Sequence, residues 1–477
     1  MKTKNNKISI TDIQKKCIEF QPKGSLLVNG IPGSGKTTIL IERARYLQQK
    51  KMEKNILLLA YNRSMTSYLQ QLATKSGIND LEVDTFHSWG MNILRSINYP
   101  RTYVLPTEDK FGTVRFARNI VRKQNSKSFS LPKFETDRNE ISFLSQEIDW
   151  MKGLNINTVE KYYETSRSGR GSDIRVTKKN KKWIFEVFSK FNALLYSNRQ
   201  IDFPDVAIIL YEKAKEIPKE LLPDHVLIDE AQDLSAMQLI VLAEFAQKSL
   251  TIGADKAQQI YKNRFSWKNL GIDIRGTRTK VLGQTFRSTK EIVQLANRFQ
   301  QQDEILVKDD EYIEPTLPNR SGPKPTVILS KTYGEEIEKV IKKVKSIRAN
   351  DKNATIGIIC VKNDKIDAFV EALNEQGIPN VIVNELGADL MSPGVKLTTY
   401  FSAKGLEFDH VFVTNLRKNA MPKLKVFPGE EEKEVLSTER KKFYVAMTRA
   451  KLSLTITGVN PLSEFIDSLD KRLYKLE

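Results

Sequence analysis

A glycine-rich turn, set between an apolar segment and a helical one, constrains this chain more than any other feature of its sequence. Residues 24–29 read GSLLVN, a short buried strand, and residues 36–49 have the pattern of a helix. Glycines between them let backbone N–H groups turn inward around phosphates, and the helix start adds positive potential. Lys36 is placed to reach the β- and γ-phosphates, and the Thr37 hydroxyl to bind Mg²⁺. The pattern predicts a P-loop that binds ATP through Gly30, Ile31, Pro32, Gly33, Ser34, Gly35, Lys36, Thr37 and Thr38.

A second apolar segment ends in two carboxylates. Residues 225–233 read HVLIDEAQD, so Asp229 and Glu230 directly follow a strand-like run. Asp229 can hold the Mg²⁺ shell, and Glu230 can orient or deprotonate an attacking water. By themselves, two acids after a strand are more typical of the start of a helix. The P-loop in the same chain favours the catalytic interpretation.

Strand-like segments alternate with helical ones over two stretches of the chain, and helical patterning fills the stretch between them. The strand-like segments lie at residues 24–29, 55–60, 81–85, 225–228, 249–253, 279–283, 325–330, 355–361, 381–384, 395–399, 410–414 and 452–457. Such alternation is typical of doubly wound parallel sheets. We therefore predict an α/β fold with three parts. The first unit is formed by residues 1–90 and 216–278, a mostly helical insertion by 91–215, and the second unit by 279–477.

Charge and the scarcity of metal-binding side chains narrow the function classes. The formal net charge of +18 favours a polyanionic partner, although a lysine-rich solvated surface gives the same balance. Two cysteines, far apart, and three histidines exclude a disulfide framework and a zinc or iron–sulfur module. No run approaches the ~18 apolar residues that a membrane span needs. We expect a cytoplasmic protein without a membrane partner.

Several segments together resemble the motifs of UvrD-type superfamily 1 helicases, in that family's order. DEAQD at 229–233 is similar to motif II. The other matches are ITDIQ at 10–14 (Q motif), YNR at 61–63 (motif Ia), TFHS at 85–88, IDFPD at 201–205, DKAQQIY at 255–261 with Arg264 (motif III), QTFRS at 284–288 (motif IV), Thr399 with KGLEF at 404–408 (motif V) and YVAMTRAK at 444–451 (motif VI). The resemblance implies two RecA-like P-loop NTPase domains, with the helical insertion in the first, that hydrolyse ATP with Mg²⁺.

The resemblance also implies roles around the nucleotide. Gln14 would read the adenine edge, and Phe286 would stack on adenine where the family often has tyrosine. Gln258 would sense the γ-phosphate, and Glu407 would contact the ribose or the γ-phosphate region.

Two arginines of the second unit, Arg287 and Arg449, match motifs IV and VI. A lone arginine is more typical of a surface salt bridge, but in these motifs a cationic fork delivered across a cleft would stabilise the transferring phosphoryl group. The predicted catalytic residues are Lys36, Glu230, Gln258, Arg287 and Arg449.

Single-stranded DNA is held by aromatic platforms for bases and cations for phosphates. By motif position or proximity, the candidate contacts are Tyr61, Asn62, Arg63, Phe86, His87, Arg264, Trp267 and Thr399, with Trp89 near them. For Phe86 and Trp89, core packing is an equal alternative. Asn263 and Phe401 depart from the residues that the family often has, and Trp267 is the candidate replacement platform. The expected partners are single-stranded DNA and its junctions with duplex.

Two features of the sequence concern how the chain would contact duplex DNA: a run of basic residues and the lack of room for a second accessory domain. Residues 167–182 carry seven basic residues against one acid, which fits either duplex phosphates or a solvated surface. Only about a hundred residues separate Arg287 from Thr399, so the second accessory domain of larger relatives is expected to be absent or rudimentary.

The leading hypothesis is a 3′→5′ helicase or translocase on single-stranded DNA. The alternative is an ATP-dependent DNA-sensing subunit of a repair or anti-phage nuclease complex, with a separate nuclease or repair protein as its partner. A 5′→3′ enzyme is disfavoured by KGLEF and DEAQD.

Overall fold

The computed structural model describes residues 10–51, 55–78, 80–165, 176–258, 270–309, 312–385, 387–424 and 432–477. Its strands form two large parallel sheets and one small pair. In chain order they are β1 Gly24–Gly30, β2 Ile56–Ala60, β3 Glu82–Thr85, β4 Tyr103–Val104, β5 Gln200–Ile201, β6 His225–Ile228, β7 Ser249–Ala254, β8 Thr279–Leu282, β9 Thr326–Ser330, β10 Thr355–Cys360, β11 Asn380–Ile382, β12 Gly394–Thr399, β13 Phe408–Leu416, β14 Ala450–Val459 and β15 Lys475–Leu476.

Helices cover both sheets and fill the middle of the chain. They are α1 Asp12–Ile18, α2 Lys36–Lys51, α3 Arg63–Lys75, α4 Phe86–Ser96, α5 Thr107–Gln124, α6 Asp137–Gly153, α7 Val159–Glu164, α8 Lys178–Ser197, α9 Phe203–Glu212, α10 Ala236–Phe245, α11 Lys290–Gln300, α12 Glu304–Val307, α13 Tyr333–Asn350, α14 Asn363–Glu375, α15 Glu432–Met447 and α16 Glu464–Asp467. None of the helices in the described part of the chain combines the length and apolarity that a bilayer crossing requires.

The first sheet has the strand order β3-β2-β6-β7-β1-β8, with all strands parallel. Its central strands are apolar and buried along their whole length, as expected for a parallel sheet covered on both faces. One prediction is wrong here. The strand at 279–283 was assigned to the second unit, but β8 pairs with β1 in the first sheet, with Leu27 opposite Thr279. A short apolar run identifies a strand without identifying its neighbour.

The second sheet has the order β11-β12-β10-β13-β14-β9-β15 and is also parallel. It contains the remaining strands predicted beyond residue 300. The described residues between Arg287 and Thr399 form α11 to α14 and β9 to β12, all parts of this sheet or of its covering helices. The two sheets confirm the prediction of an α/β fold with two RecA-like units.

The helical insertion is narrower than predicted. Between residues 105 and 195, apolar side chains of the described residues form a hydrophobic cluster of their own, built mainly by α5, α6 and α8. In contrast, Met91, Ile93 and Leu94 of α4, and the apolar face of α9, are buried in the core of the first sheet. The ends of the segment 91–215 therefore belong to the first unit, because their amphipathic helices cover its sheet.

An ionic cluster around the buried Asp202 joins the insertion to the first unit; we call its five members the Asp202 cluster. The Asp202 carboxylate caps α9 by accepting from the Asp205 N–H, and it receives Lys110 Nζ at 2.8 Å and Lys152 Nζ at 2.7 Å. Asp149 and Asp205 also pair with these lysines, so three carboxylates meet two ammonium groups. Burial raises the pKa of Asp202, but the two ammonium groups outweigh it and hold that pKa far below its usual range. The IDFPD segment is thus a structural joint.

Candidate active site

The turn between β1 and α2 requires glycine at two positions. Gly33 and Gly35 have φ angles of 72° and 90°, in the left-handed region that favours glycine. A Cβ at Gly35 would lie 2.6 Å from Gln14 Nε2, and one at Gly33 would lie 2.5 Å from Thr285 Oγ1. The turn therefore packs directly against α1 on one side and against the segment after β8 on the other.

Lys36 lies at the floor of this turn. Its ammonium group donates to the carbonyl oxygens of Gly30 at 2.7 Å and Ile31 at 3.0 Å, and lies 3.5 Å from the Asp255 carboxylate. Gln14, on α1, donates its side-chain N–H to the Ser34 carbonyl at 3.0 Å. Gly30, Ile31 and Ser34 thus shape the loop and position these two side chains.

Asp229, at the end of β6, accepts a hydrogen bond from the Thr37 hydroxyl at 2.8 Å. Burial and then the charge of Glu230 raise the pKa of Asp229 to about 6. A hydroxyl and a carboxylate side by side, with room for phosphate oxygens, are donors that suit Mg²⁺. No group of three or more acidic, histidine or cysteine side chains in the described ranges could hold a metal alone. The pair therefore fits an ion shared with a nucleotide.

Glu230 adopts the left-handed conformation, with φ 55°, just after the carboxyl end of β6. Its carboxylate accepts a hydrogen bond from the Gln232 amide. Burial raises the pKa of Glu230, but the charges of Lys404, Lys36 and Arg449 outweigh it, so the net pKa lies below the usual range. The carboxylate is therefore ionised and is held over the P-loop.

Arg449 reaches this site from the second unit. Its guanidinium donates to Gln258 Oε1 at 2.5 Å and to the Val445 carbonyl at 2.9 Å, and the residue is 1% exposed. Gln258 in turn donates to Asp255, which lies beside Lys36. A chain of polar contacts therefore runs from Arg449 to the P-loop lysine.

Arg287 also faces the P-loop, but it is held by an anion. Its Nε donates to the Glu407 carboxylate at 2.8 Å, and Lys451 binds the same carboxylate at 2.7 Å. Burial raises the pKa of Glu407, but the two cations outweigh it and lower that pKa to about 2. The structure thus adds a role for Glu407, which orients Arg287.

A cleft of about 320 Å³ lies between the two units and brings these groups together. Its walls include the predicted residues Gln14, Gly33, Gly35, Lys36, Thr37, Thr38, Glu230, Gln258, Phe286, Arg287, Glu407 and Arg449. They also include residues for which the sequence predicted no role, namely Tyr68, Leu72, Arg320, Gly405 and Lys451. Tyr68 and Leu72 are on the same face of α3, a spacing that indicates only an amphipathic helix.

Lys404 belongs to the KGLEF segment, but the sequence did not predict its contacts. Its ammonium group is 2.5 Å from Asp233, 2.6 Å from the Gln258 carbonyl and 3.8 Å from Glu230. Burial raises the pKa of Asp233 to about 7, against the opposing charge of Lys404. A lysine of the second unit therefore lies among Asp233, Gln258 and Glu230 of the first.

The predicted DNA contacts divide into buried and exposed groups. Phe86 is 2% exposed and Trp89 is 3% exposed, both in the core of the first sheet, so the prediction that Phe86 is a base platform is wrong. His87 is partly buried, with its ring 5.0 Å from Phe203, and burial lowers its pKa to about 4. Phe203, 44% exposed beside His87, was not among the predicted contacts. Arg264 and Trp267 lie outside the described residues.

The ends of β2 and β12 meet across the units. Asn62 caps α3 by accepting from the Met65 N–H at 2.8 Å, and Arg63 beside it is exposed. Ser64 donates to Asn384 at 2.5 Å, Asn384 donates to Ser402 at 2.9 Å, and Ser402 lies 3.4 Å from the Thr399 hydroxyl. Tyr61 and Thr399 therefore flank one seam, although Thr399 itself is mostly buried.

The basic run is only partly described. Residues 166–175 lie outside the described ranges. In the described part, Lys178, Lys179 and Lys182 are exposed, whereas Lys181 is buried and donates to the Tyr162 carbonyl at 2.7 Å. At least one of the seven basic residues is therefore structural.

Comparisons with known proteins give a consistent result. The profile of the UvrD/REP helicase N-terminal domain matches residues 10–269, and that of the UvrD-like helicase C-terminal domain matches residues 281–387 and 384–460. A probable DNA helicase of Mycoplasma pneumoniae is 25% identical over 458 residues, covering 90% of this chain and 79% of that protein. The ATP-dependent DNA helicase PcrA of Staphylococcus aureus is 23% identical over 391 residues, covering 76% of this chain and 49% of PcrA.

Two further relatives are more partial. A probable DNA helicase II homolog of Mycoplasma capricolum is 24% identical over 342 residues, covering 66% of this chain and 44% of that protein. The chain thus spans about half the length of this homolog and of PcrA. The solved C-terminal domain of a possible DNA helicase from Lactobacillus plantarum is 24% identical and covers 40% of this chain and 98% of its own. Its TM-score of 0.30 is too low to support an argument about the fold.

Proposed function

This chain belongs to the UvrD/REP helicase family, and on that premise we propose that it is an ATP-dependent DNA helicase that moves 3′→5′ along single strands. One observation carries the proposal. Arg287 and Arg449 of the second unit lie in the same cleft as Lys36 and Glu230 of the first. Hydrolysis in such a composite site depends on how the two units are placed, which is what a motor needs.

The residues of the cleft fit phosphoryl transfer. Lys36 and the P-loop N–H groups would hold the phosphates, and Thr37 with Asp229 would hold Mg²⁺, which supplies positive charge to the phosphate oxygens when bound. Glu230 would accept the proton of a water as its oxygen attacks the γ-phosphorus. The bond to the β–γ bridging oxygen breaks and ADP leaves. Arg287 and Arg449 would stabilise the negative charge that develops on the γ-phosphoryl oxygens.

Two contacts would couple this chemistry to movement. Lys404 with Asp233, and Arg449 with Gln258, join the second unit to the catalytic edge of the first. Gln258 would sense the γ-phosphate. Loss of the γ-phosphate on hydrolysis would then change the contact of Gln258 with Arg449 and the contact of its carbonyl with Lys404. We propose that the units then shift their relative position by one step.

The seam at the ends of β2 and β12 is the proposed path of the single strand. Arg63 is exposed there and would bind a phosphate. Phe401, 43% exposed, and Phe203, 44% exposed beside His87, would offer ring faces to bases. Because such platforms accept any base, we expect little sequence preference.

Displacement of streptavidin from biotinylated oligonucleotides tests the proposal. With ATP and Mg²⁺, the chain should clear a block at the 5′ end much faster than one at the 3′ end. Glu230→Gln protein, which should still bind DNA, is the matched control and should clear neither. Faster clearing of the 3′ end would reverse the polarity. Brisk DNA-stimulated hydrolysis without clearing of either end would exclude a motor.

A further inference from the structure

The cleft carries an aromatic ring and a guanidinium that have no stacking or ionic partner among the described residues. Phe286 is 47% exposed, and no ring among the described residues stacks on it. Arg320 is exposed, and no carboxylate or ring in the described ranges pairs with its guanidinium. Both side chains line the cleft. An aromatic face and an unpaired guanidinium at one cleft are complementary to a flat, polarisable ligand.

The backbone fixes both groups at the same end of the cleft. The Phe286 N–H donates to the Gly33 carbonyl at 2.8 Å, which seats Phe286 beside the P-loop turn. Lys290 lies only four residues after Phe286, and its N–H donates to the Arg320 carbonyl at 2.7 Å. The Gly322 N–H donates to the Glu291 carboxylate at 2.7 Å. The loop that carries Arg320 is therefore tied to the start of α11, next to Phe286.

The loop also packs closely against that helix start. A Cβ at Gly322 would lie 2.5 Å from the Thr289 side chain, so only glycine allows the backbone to approach this far. The loop, residues 315–325, contains four prolines, which restrict its conformations. Arg320 is thus an anchored backbone position with a free side chain.

We infer that Arg320 closes over the base of the bound nucleotide and, with Phe286, selects purine nucleoside triphosphates; this rests on the proposed ATPase function. The guanidinium is planar and can stack on a purine ring while its N–H groups stay solvated. The phosphate end is already served by Lys36, Arg287 and Arg449, each held there by its own partners. Arg320 has no such tie to the phosphate end. It is a specificity-determining residue.

The test compares ATP with inorganic tripolyphosphate, which has the phosphates without the base. Arg320→Ala should raise the Kd for ATP by about 3- to 30-fold, the range that a cation–π contact gives. The Kd for tripolyphosphate should not change, and the Kd for CTP, whose smaller ring stacks less, should rise less than that for ATP. Arg320→Lys should recover part of the ATP affinity, because it keeps the charge and loses the plane.

Lys324→Ala is the matched control, since Lys324 is an exposed cation of the same loop that donates to the Arg472 carbonyl. It should leave all three Kd values unchanged. If Arg320→Ala weakens ATP and tripolyphosphate equally, Arg320 binds phosphate and the inference is overturned. If it weakens neither, the inference is also overturned while the ATPase proposal stands. Failure of the unmodified chain to bind ATP would instead remove the proposed function itself.

Discussion

The two large sheets of this protein have the same strand arrangement and differ at the edge formed by the carboxyl ends of their strands. With β11 set aside, each strand of the order β3-β2-β6-β7-β1-β8 has a counterpart in β12-β10-β13-β14-β9-β15. Both sheets even repeat a polar pair at the start of two central strands. His225 Nδ1 lies 2.7 Å from Ser249 Oγ, and His410 Nδ1 lies 2.7 Å from Ser453 Oγ. The two units therefore share a strand order and one polar contact between neighbouring strands.

The difference begins five residues after each histidine. Glu230 and Asn415 occupy this position, both in the left-handed conformation, with φ of 55° and 64°. The preceding residue is Asp229 in the first unit and Thr414 in the second. The first unit thus carries two carboxylates at the edge where the second carries a hydroxyl and an amide. The first edge suits a metal ion and a water, and the second does not.

The turns after β1 and β9 differ in the same sense. Five residues separate β1 from α2 and form the P-loop, whereas Lys331 and Thr332 alone separate β9 from α13. In the second unit, the buried Glu336 carboxylate accepts hydrogen bonds from the Asn415 N–H, at 2.7 Å, and from the Thr457 hydroxyl. The second unit fills its edge with its own anion. The same strand arrangement can therefore carry a candidate catalytic site or a structural hydrogen-bond network, depending on its loops.

Removing the carboxylate that distinguishes the first edge should have the largest effect. Glu230→Gln should lower kcat by about 10³-fold or more while ATP binding remains, because phosphate and metal contacts persist and the water loses its base. Steady-state ATPase rates and nucleotide binding would be measured in parallel. Glu244→Gln, an exposed change on α10, should behave as the unmodified protein. A residual kcat within tenfold would mean that Glu230 does not distinguish the two edges.

The proposed contribution of the second unit to the transition state is its two arginines, so their loss should come next. Arg287→Ala and Arg449→Ala should each lower kcat by ~10²- to 10³-fold and change ATP affinity far less, since they act on transition-state charge. DNA-stimulated kcat and KM would be compared with those of Arg298→Ala, an exposed arginine of the same unit. Normal hydrolysis by either variant would confine catalysis to the first unit.

The smallest effect concerns the anion of the second edge. Burial raises the pKa of Glu336, against hydrogen bonds from Thr457 and Asn415. The folded protein therefore holds this proton to higher pH than the unfolded chain, whose glutamate titrates near 4.3. Stability due to the protonated carboxyl is present below that pH and is lost as pH rises through the folded pKa.

Glu336→Gln keeps the acceptors and removes the titration. It should therefore be more stable than the unmodified protein at pH 8, and the gain should shrink as pH falls through the raised pKa of Glu336. Urea unfolding at several pH values would measure this. Glu335→Gln, at the neighbouring, partly exposed position, should show no such gain at pH 8. A gain from Glu336→Gln that does not vary with pH would show that Glu336 is ionised throughout.

Local features of the fold and site could be predicted from the sequence. The P-loop, the carboxylates after β6 and most strands are each formed by residues adjacent in the chain. Apolar runs and glycines are therefore enough to predict them. The pairing of β8 with β1 could not be predicted, because a strand's own residues do not specify its neighbour. Lys404 is a similar case, since its contacts with Asp233 and Gln258 exist only when two distant segments meet.

Aromatic residues show the same limit in another way. Phe86 and Trp89 lie three residues apart on α4, a spacing that suits a buried helix face as well as a motif. The structure buries both, whereas Phe203, at the start of α9, is left exposed. Only the orientation of each helix on the sheet separates a core ring from a surface one.

The Asp202 cluster has a mechanical consequence. Lysines from two helices of the insertion end on one carboxylate that is itself the cap of α9. Lys152 also pairs with Asp205, so the insertion holds α9 at two residues, which restricts pivoting, and the removal of one partner would leave an uncompensated buried charge. The insertion and the first sheet should therefore turn as one rigid body. Any rotation at the ATP cleft would then be magnified at the outer end of the insertion in proportion to its distance from the axis.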